Sequence, residues 1–392
     1  MSGYSGMGGH GGHGGHGGHG GHGGHGGHGG HGGHGGHGGH GLAGGLSDAY
    51  ANTLNVAALT LSREAIIDPS DVAGQKPGAF HSGDAKNILR WESWVRRSVV
   101  QQGLLEQLAF DVTKLSNGGE DGPSPSDGGV LLNANSKPLV RLTRPTANDF
   151  IKQIPLVLGW AELREERAVE VLAQMEEPYS FLSSVVYLHP ERTRYTIEFL
   201  TYVFNLSIAV DMRFKHELAC WRPVEYSAQV QPMITTPGHG SFPSGHATEI
   251  YAAVTVLKQL IGAGPKTRVQ LDRLAARIAT NRVVAGVHFP VDSVAGRLLG
   301  VKLGQFMLSA LTTPDHCGAG TKLFWNGRAF DASTFADGTG EFAPNTDIEA
   351  TQYYPALKDA SGSTVTGSAK TVAVLDVMWQ RARCEWCNHQ LP

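Results

Sequence analysis

Several features that define common protein classes are scarce or absent in this chain of 392 residues. It has four cysteines, too few for a scaffold built from disulfides. Its 32 Lys and Arg nearly balance its 35 Asp and Glu, and no basic run suggests nucleic-acid binding. No uncharged apolar stretch reaches the roughly 18 residues of a membrane span, and the first residues lack the pattern of a signal peptide. We therefore expect a soluble protein, cytoplasmic by default.

The cysteines leave several interpretations open. Cys220 lies inside one of the motifs described below, and Cys317 is solitary. Cys384 and Cys387 form the sequence CEWC, with His389 close behind. Buried or free thiols, a local disulfide and a partial zinc site are all compatible with one such pair.

A glycine- and histidine-rich repeat occupies the start of the chain. Between residues 8 and 41 the sequence Gly-Gly-His recurs with a period of three, and it holds 11 of the 19 histidines. Such a segment has no apolar side chains to bury, so we predict that residues 1–46 are a disordered tail. A solvated spacer, weak binding of copper, nickel or zinc by the imidazoles, and a pH-dependent adhesive arm are the three interpretations.

Apolar residues recur at helical spacing through most of the remaining chain. The pattern predicts helices over residues 88–108, 149–172, 192–218, 247–261, 267–280, 291–311 and 370–381. Alternation typical of strands is rare and short, and residues 116–135 read as a long surface loop. We predict a mainly α protein: a helical bundle with an irregular C-terminal extension. Its parts are predicted as an N-terminal helical part (47–190), a central bundle (191–311) and the extension packing on the core (312–392).

Three short segments carry the side chains that indicate chemistry. They are KHELACWRP at residues 215–223, PSGH at 243–246 and NRVVAGVHFPVD at 281–292. Together they supply Lys215, Arg222, Ser244, Gly245, His246, Arg282, His288 and Asp292. Three permanent cations, two histidines, a hydroxyl and one carboxylate match a buried tetrahedral anion, whose removal from water must be offset by charges and donors.

Local structure predicted from these segments brings the side chains together. The first segment is expected to end a helix at Arg222–Pro223, with Lys215 two turns earlier and pointing to the same side. In the second, a loop rich in Pro and Gly runs into a helix, whose first N–H groups favour an anion. Since Asp292 is one helical turn beyond His288, it can orient the imidazole and leave Nε2 for a nucleophile or a ligand.

The order and spacing of these motifs resemble the superfamily shared by type-2 phosphatidic acid phosphatases, bacterial class A acid phosphatases and vanadium-dependent haloperoxidases. The family pattern is Lys-x6-Arg-Pro, Pro-Ser-Gly-His and Ser-Arg-x5-His-x3-Asp, and only its last serine differs here, as Asn281. The resemblance implies that Lys215, Arg222, Ser244, Gly245 and Arg282 bind oxyanion oxygens. It implies that His288 is the vanadium ligand or phosphoryl acceptor, that His246 is the acid–base residue, and that Asp292 holds His288.

Further residues resemble the haloperoxidases in particular. The sequence GVHF surrounds His288, while His239 and Arg213 stand where bromoperoxidases carry a histidine and an arginine. Met212 departs from the tryptophan often found there. The resemblance therefore implies an enzyme with one vanadate per chain that oxidises bromide with hydrogen peroxide, with a halide pocket at Arg213 and His239.

Other partners and functions stay open at this point. A small organic acceptor is the expected third substrate of a haloperoxidase, and homo-oligomer formation is left open. The alternative enzyme is a soluble acid phosphatase that acts through a phosphohistidine. A third class is a binding protein for oxyanions or metals in which the histidine-rich tail is the functional part. The complete acid–base set argues against that class, because simple binding does not need His288 paired with Asp292.

Overall fold

The computed structural model describes residues 53–68, 81–113, 128–175, 178–313, 322–332, 335 and 353–387. The chain divides into two compact units, residues 1–71 and 72–392. In the first unit the described part is one helix, α1 (Thr53–Ile66). The Gly-Gly-His tail and Cys317 lie outside the described residues. The domain boundaries given above therefore stay predictions.

The second unit is mostly helical, which confirms the predicted fold class. Short 3-10 segments precede α2 and follow α3 and α7. Its helices are α2 (Ser93–Leu105), α3 (Ala147–Trp160), α4 (Arg164–Ala173), α5 (Tyr179–Ser183), α6 (Arg194–Leu218), α7 (Pro223–Tyr226), α8 (Gly245–Leu260), α9 (Pro265–Val284), α10 (Pro290–Ser309) and α11 (Ala373–Cys384). Within the described ranges, each helix is too short or too polar to cross a bilayer.

The centre of the bundle is the pair α8 and α10, which also packs against α6 and α9. Glycines spaced four apart on α10 allow the two helices to approach closely. A Cβ atom on Gly296 would lie 2.6 Å from the Ser244 carbonyl oxygen, and one on Gly300 would meet the Thr248 carbonyl. Because backbone cannot move aside as a side chain can, glycine is required at both positions. This contact sets the start of α8 beside the start of α10.

A four-stranded sheet covers one side of the bundle, which the sequence pattern did not predict. Its order is β1-β2-β3-β5, antiparallel except for the parallel pair β3 and β5. The strands are β1 (Leu108–Thr113), β2 (Gly129–Ala134), β3 (Lys137–Thr143) and β5 (Arg328–Asp331). The loop predicted at 116–135 is therefore wrong over β2, where Val130, Leu132 and Ala134 are buried in alternation. Residues 116–127 of that loop lie outside the described part.

Several predicted helices have different ends or are interrupted. The pattern at 88–108 divides into a 3-10 turn (Ala85–Arg90) and α2, and its last residue starts β1. The pattern at 149–172 is broken by a 3-10 turn at Ala161–Leu163. The helix expected to end at Arg222–Pro223 ends at Leu218, where Ala219 adopts a left-handed conformation (φ 44°). Pro223 instead opens α7, because proline suits the first position of a helix.

The C-terminal extension packs on α6, the helix that carries Lys215. A two-stranded sheet joins β4 (Trp325–Asn326) to β6 (Thr366–Gly367), and α11 follows. Just after α11, Glu385 accepts hydrogen bonds from the backbone N–H groups of Tyr195 and Thr196, at 2.8 and 2.9 Å. The carboxylate therefore caps the N-terminus of α6. Cys384 and Cys387 on either side are exposed free thiols, and His389 is outside the described residues.

Candidate functional site

Lys215 is buried in the last turn of α6 and holds the loop that leads into α8. Its Nζ donates to the carbonyls of Gly240 (3.1 Å), Ser241 (3.2 Å) and Pro243. Burial lowers the pKa of this lysine, and the Asp211 carboxylate 3.6 Å away opposes that shift. Lys215 thus fixes the loop in this structure, and its three donors face protein carbonyls.

The N-terminus of α8 lies directly beyond that loop. Ser244 is the N-cap residue, and its backbone N–H donates to the Asp292 carbonyl oxygen at 2.9 Å. The buried Ser244 hydroxyl has no hydrogen-bond partner in the part of the chain that the structure describes. A Cβ on Gly245 would lie 3.2 Å from Asp211 Oδ2, so only a residue without one leaves this approach unstrained. The first N–H groups of a helix have no acceptor within the helix, and with the Ser244 hydroxyl they make a surface suited to an anion.

His288 and Asp292 form the carboxylate–imidazole pair that their spacing predicts. His288 Nδ1 lies 2.9 Å from Asp292 Oδ2, which also accepts from the Phe289 N–H at 2.9 Å and from the Ser241 hydroxyl. Because the carboxylate accepts at Nδ1, the neutral ring carries its lone pair on Nε2. Burial, then the charges of Arg222 and Lys215, lower the pKa of His288 well below its usual range. The imidazole is therefore neutral and able to act as a nucleophile or ligand.

Arg222 connects this histidine to His239. Its Nη1 donates to His288 Nε2 (3.1 Å) and to the Val287 carbonyl (2.7 Å). Its Nη2 donates to His239 Nδ1 and its Nε to the His239 carbonyl, each at 3.1 Å. The guanidinium and His239 line a cavity of about 710 Å³. Other residues of its wall are Met212, Lys215, His216, Trp221 and Thr236.

Arg282 approaches from the last turn of α9 and contacts α4 through one nitrogen. Its Nη2 donates to the Val171 carbonyl (3.0 Å) and to Gln174 Oε1 (3.2 Å). Its buried Nε and Nη1 have no hydrogen-bond partner among the described residues. His246 meets the same helix end, with Nε2 3.0 Å from the Gln174 carbonyl oxygen. Since a carbonyl only accepts, that ring nitrogen of His246 carries a proton.

Two residues of this site are absent from the sequence prediction. Asp211 is fully buried beside Lys215, and burial raises the pKa of its carboxyl to about 6. Its position four residues before Lys215, on the same face of α6, was the available signal. Gln174 is the C-cap residue that follows α4, far from any motif in the sequence, and nothing in its surroundings along the chain indicates a role.

Arg213 is the one predicted site residue that the structure keeps apart from the others. Its guanidinium pairs with Glu217 at 2.8 Å, lies 5.8 Å from the Phe110 ring centroid, and the side chain is 54% exposed. It is absent from the lining of the cavity that contains His239. The reason is its position on α6, about 100° around the helix from Met212, which does face the cavity.

Comparison with known proteins agrees with this arrangement. A family model described as the PAP2 superfamily matches residues 196–314, which include all three motifs and helices α8 to α10. The chain contains a PAP2 superfamily domain. The match begins two residues into α6, so α4 and the β1–β3 sheet lie outside the matched PAP2 segment.

Two curated proteins are similar to parts of this chain. One is a vanadium-dependent bromoperoxidase of Ascophyllum nodosum, 33% identical over 91 residues that cover 17% of this chain and 16% of that protein. The other is a decaprenylphosphoryl-5-phosphoribose phosphatase of Mycolicibacterium smegmatis, 41% identical over 63 residues that cover 16% of this chain and 32% of that protein. The matches thus span about a sixth and about a third of these relatives.

A solved structure is also similar to part of the chain. It is a transmembrane PAP2-type phosphatidylglycerolphosphate phosphatase of Bacillus subtilis, matched with a TM-score of 0.25 and 18% identity. The match covers 40% of this chain and 92% of that one.

Proposed function

We propose that this protein is a vanadium-dependent haloperoxidase that oxidises bromide with hydrogen peroxide and forms hypohalous acid. The observation that carries the proposal is the His239 imidazole, bonded to Arg222 at 3.1 Å beside the buried His288–Asp292 pair. Phosphoryl transfer through His288 needs one further acid–base histidine, and His246 supplies it. His239 is an additional imidazole at the cavity wall, consistent with handling protons of a second, mobile reactant.

The donor set fits vanadate as the resident group. Ser244 Oγ and two nitrogens of Arg282 are buried and have no hydrogen-bond partner among the residues that the structure describes, and the N-terminus of α8 adds backbone donors. Arg222 adds a second guanidinium, and the neutral His288 offers Nε2 as the metal ligand. Bound there, pentavalent vanadium would supply Lewis-acid activation of hydrogen peroxide. Lys215 would reach an anion once it released one of its three carbonyl partners.

The protein's own groups then have distinct tasks. Asp292 fixes the tautomer of His288 through Nδ1, which leaves the lone pair on Nε2. That lone pair accepts from Arg222 in this structure, and it would bind the anion once Arg222 turned its N–H toward the anion instead. His246 carries a proton on Nε2 against the Gln174 carbonyl, so this imidazole is oriented by the end of α4. The cavity beside His239 gives a small acceptor a path to the products of halide oxidation.

A phosphatase is the second candidate, favoured by the higher identity of the phosphatase match. Here His288 Nε2 would attack phosphorus, the bond between phosphorus and the ester oxygen would break, and His246 would give its proton to the departing alcohol oxygen. Water would then attack the phosphohistidine, with His246 as the base, and release inorganic phosphate. The same cations would stabilise the trigonal transition state.

One pair of titrations separates the two enzymes. If the protein is a haloperoxidase, the vanadate-free form is inactive in phenol bromination, gains activity as vanadate is added, and loses it to excess phosphate. A phosphatase hydrolyses an aryl phosphate without metal, and vanadate inhibits it as a transition-state mimic. We expect vanadate to activate bromination. Rapid hydrolysis of the ester, with no vanadate-dependent bromination between about pH 5 and pH 8, would assign the protein to the phosphatases.

A further inference from the structure

Helix α4 lies outside the PAP2 match, yet its C-terminus holds two residues of the proposed site. The Val171 carbonyl and Gln174 Oε1 both accept from Arg282 Nη2, at 3.0 and 3.2 Å. The Gln174 main-chain oxygen meets His246 Nε2 at 3.0 Å. Carbonyls in the last turn of a helix lack partners within the helix and carry the negative end of its dipole. The end of α4 therefore attracts both groups without using a charged side chain.

The orientation of the Gln174 amide follows from its neighbours. Gln174 Nε2 donates to Glu170 Oε1 at 2.9 Å, and Asn281 Nδ2 donates to Gln174 Oε1 at 2.9 Å. The reverse orientation would place an amide N–H against Arg282 and against the Asn281 donor. Asn281 also donates to Glu170 at 2.9 Å, so it bridges the two α4 side chains. A serine at position 281 has one hydroxyl hydrogen and could not donate to both.

The charges around Arg282 are unevenly distributed. The Glu170 carboxylate is paired with Arg277 on the far side, at 2.7 Å. No described carboxylate forms an ion pair with Arg282, and Gln174, which touches it, is neutral and only 1% exposed. A buried cation without a counter-ion is costly, and a bound anion removes that cost. A carboxylate at position 174 would instead pair with the Arg282 guanidinium and so compete with a bound anion for it.

We propose that Gln174 is a positioning residue of the oxyanion site: a neutral amide, oriented by Asn281 and Glu170, that holds Arg282 and, through its main chain, His246. Because this support is neutral, the bound oxyanion is the counter-charge of Arg282. The inference rests on the proposed function in one respect only, that an oxyanion binds at Arg282. It is the same for a haloperoxidase and a phosphatase.

A charge swap along α4 tests this role. The double variant Glu170→Gln with Gln174→Glu keeps the net charge but moves one carboxylate by a helical turn, from Arg277 to Arg282. We expect the Kd of the metal-free, full-length protein for inorganic phosphate, measured by calorimetry, to rise about 10- to 100-fold. The control variant Glu166→Gln, on the exposed face of the same helix, should bind phosphate within about twofold of the native protein. If the swap weakened phosphate binding only by damaging α4 in general, loss of the Glu166 carboxylate from the same helix should weaken binding as well.

A neutral variant tests the same contact without added charge. Gln174→Met has a similar volume and removes the side-chain acceptor for Arg282, so we expect phosphate to bind about 3- to 10-fold more weakly. This variant decides the question if the swap does not fold. The role of Gln174 would be overturned if the folded swap variant, or the methionine variant, bound phosphate with an affinity within about twofold of native. That result would leave the proposed function standing. A native protein that binds neither phosphate nor vanadate would overturn both.

Discussion

The two arginines of the site differ in how many of their guanidinium nitrogens have hydrogen-bond partners. Arg222, between α6 and α7, has a contact for each of its three nitrogens, through His239, His288 and Val287. Arg282, near the end of α9, uses only Nη2, and its buried Nε and Nη1 have no partner among the described residues. Burial lowers the pKa of Arg282 to about 10, although an arginine remains charged at neutral pH.

This difference separates a completed side of the site, whose hydrogen bonds are satisfied, from a second side with buried donors that lack partners among the described residues. Hydrogen bonds within the protein already hold the Arg222–His288–Asp292 side, so its geometry exists before any anion binds. On the Ser244–Arg282 side, buried donors have no partner within the described part of the chain, and such unsatisfied donors are rare in native proteins and cost stability. The proposed anion would therefore stabilise the second side most and would need the first for its chemistry.

The largest expected effect is on the completed side, from His288→Ala. Removing the imidazole deletes the proposed ligand or nucleophile, so turnover should fall by at least about 100-fold in whichever of the two assays the native protein is active. Phosphate should still bind to the metal-free variant, because the cations of the second side remain. Kinetics together with phosphate calorimetry would measure both. Near-native turnover in this variant would be incompatible with the proposed site.

The two arginines themselves give a sharper test of the comparison. Arg222→Met and Arg282→Met should each weaken phosphate binding by about 10- to 100-fold. Their effects on folding should differ. Arg222→Met breaks four satisfied contacts and should lower the free energy of unfolding by about 2–4 kcal/mol. Arg282→Met removes a buried charge with two orphaned nitrogens, so stability should be unchanged or higher. Denaturant unfolding would measure this, and equal losses of stability would contradict the difference between the two sides.

Prediction from sequence succeeded where a local pattern determines the geometry. One helical turn separates His288 from Asp292, and Pro290 starts α10, so their contact at 2.9 Å follows from spacing alone. The Pro-Ser-Gly-His segment at the start of α8 is predicted for the same reason. Lys215 and Arg222 share the site by another route than the one predicted. Helix α6 ends at Leu218, and the following turn, not a second helical turn, carries Arg222 to His288.

Contacts between distant segments could not be predicted in this way. Gln174 reaches Arg282 across 108 positions, and nothing in the sequence around either residue encodes that distance. The strand β2 was missed because GVLLNA is short and follows a stretch rich in Gly, Ser and Pro, so its burial depends on pairing with β1 and β3. Arg213 was assigned by resemblance to a pocket that its helix face does not reach.

Asp211 offers a smaller effect with a defined pH dependence. Burial raises the pKa of its carboxyl to about 6, so between about pH 4 and pH 6 the native state binds more protons than the unfolded state. Stability from this group therefore falls as pH rises through that window. Asp211→Asn has no carboxyl at this position, so the variant should not show this loss of stability. The free energy of unfolding of the variant minus that of the native protein should therefore increase by about 1–2 kcal/mol from pH 4 to pH 7. Urea unfolding at both pH values measures it, and a pH-independent difference would contradict the buried, ionising carboxyl.

The smallest effect should come from Arg213, and a comparison with His239 defines the edge of the site. The Arg213 guanidinium contacts only Glu217 and the Phe110 ring among the described residues, and an exposed ion pair contributes about 0–1 kcal/mol. Arg213→Ala should therefore leave bromide kinetics within about twofold and stability within about 1 kcal/mol. His239→Phe removes the imidazole bonded to Arg222 and should lower bromide turnover about 3- to 10-fold. Steady-state bromination of both variants at fixed vanadate would rank them. If Arg213→Ala lowered bromination more than His239→Phe, a halide would have to bind outside the cavity beside His239. Arg222 would then no longer mark the boundary of the completed side.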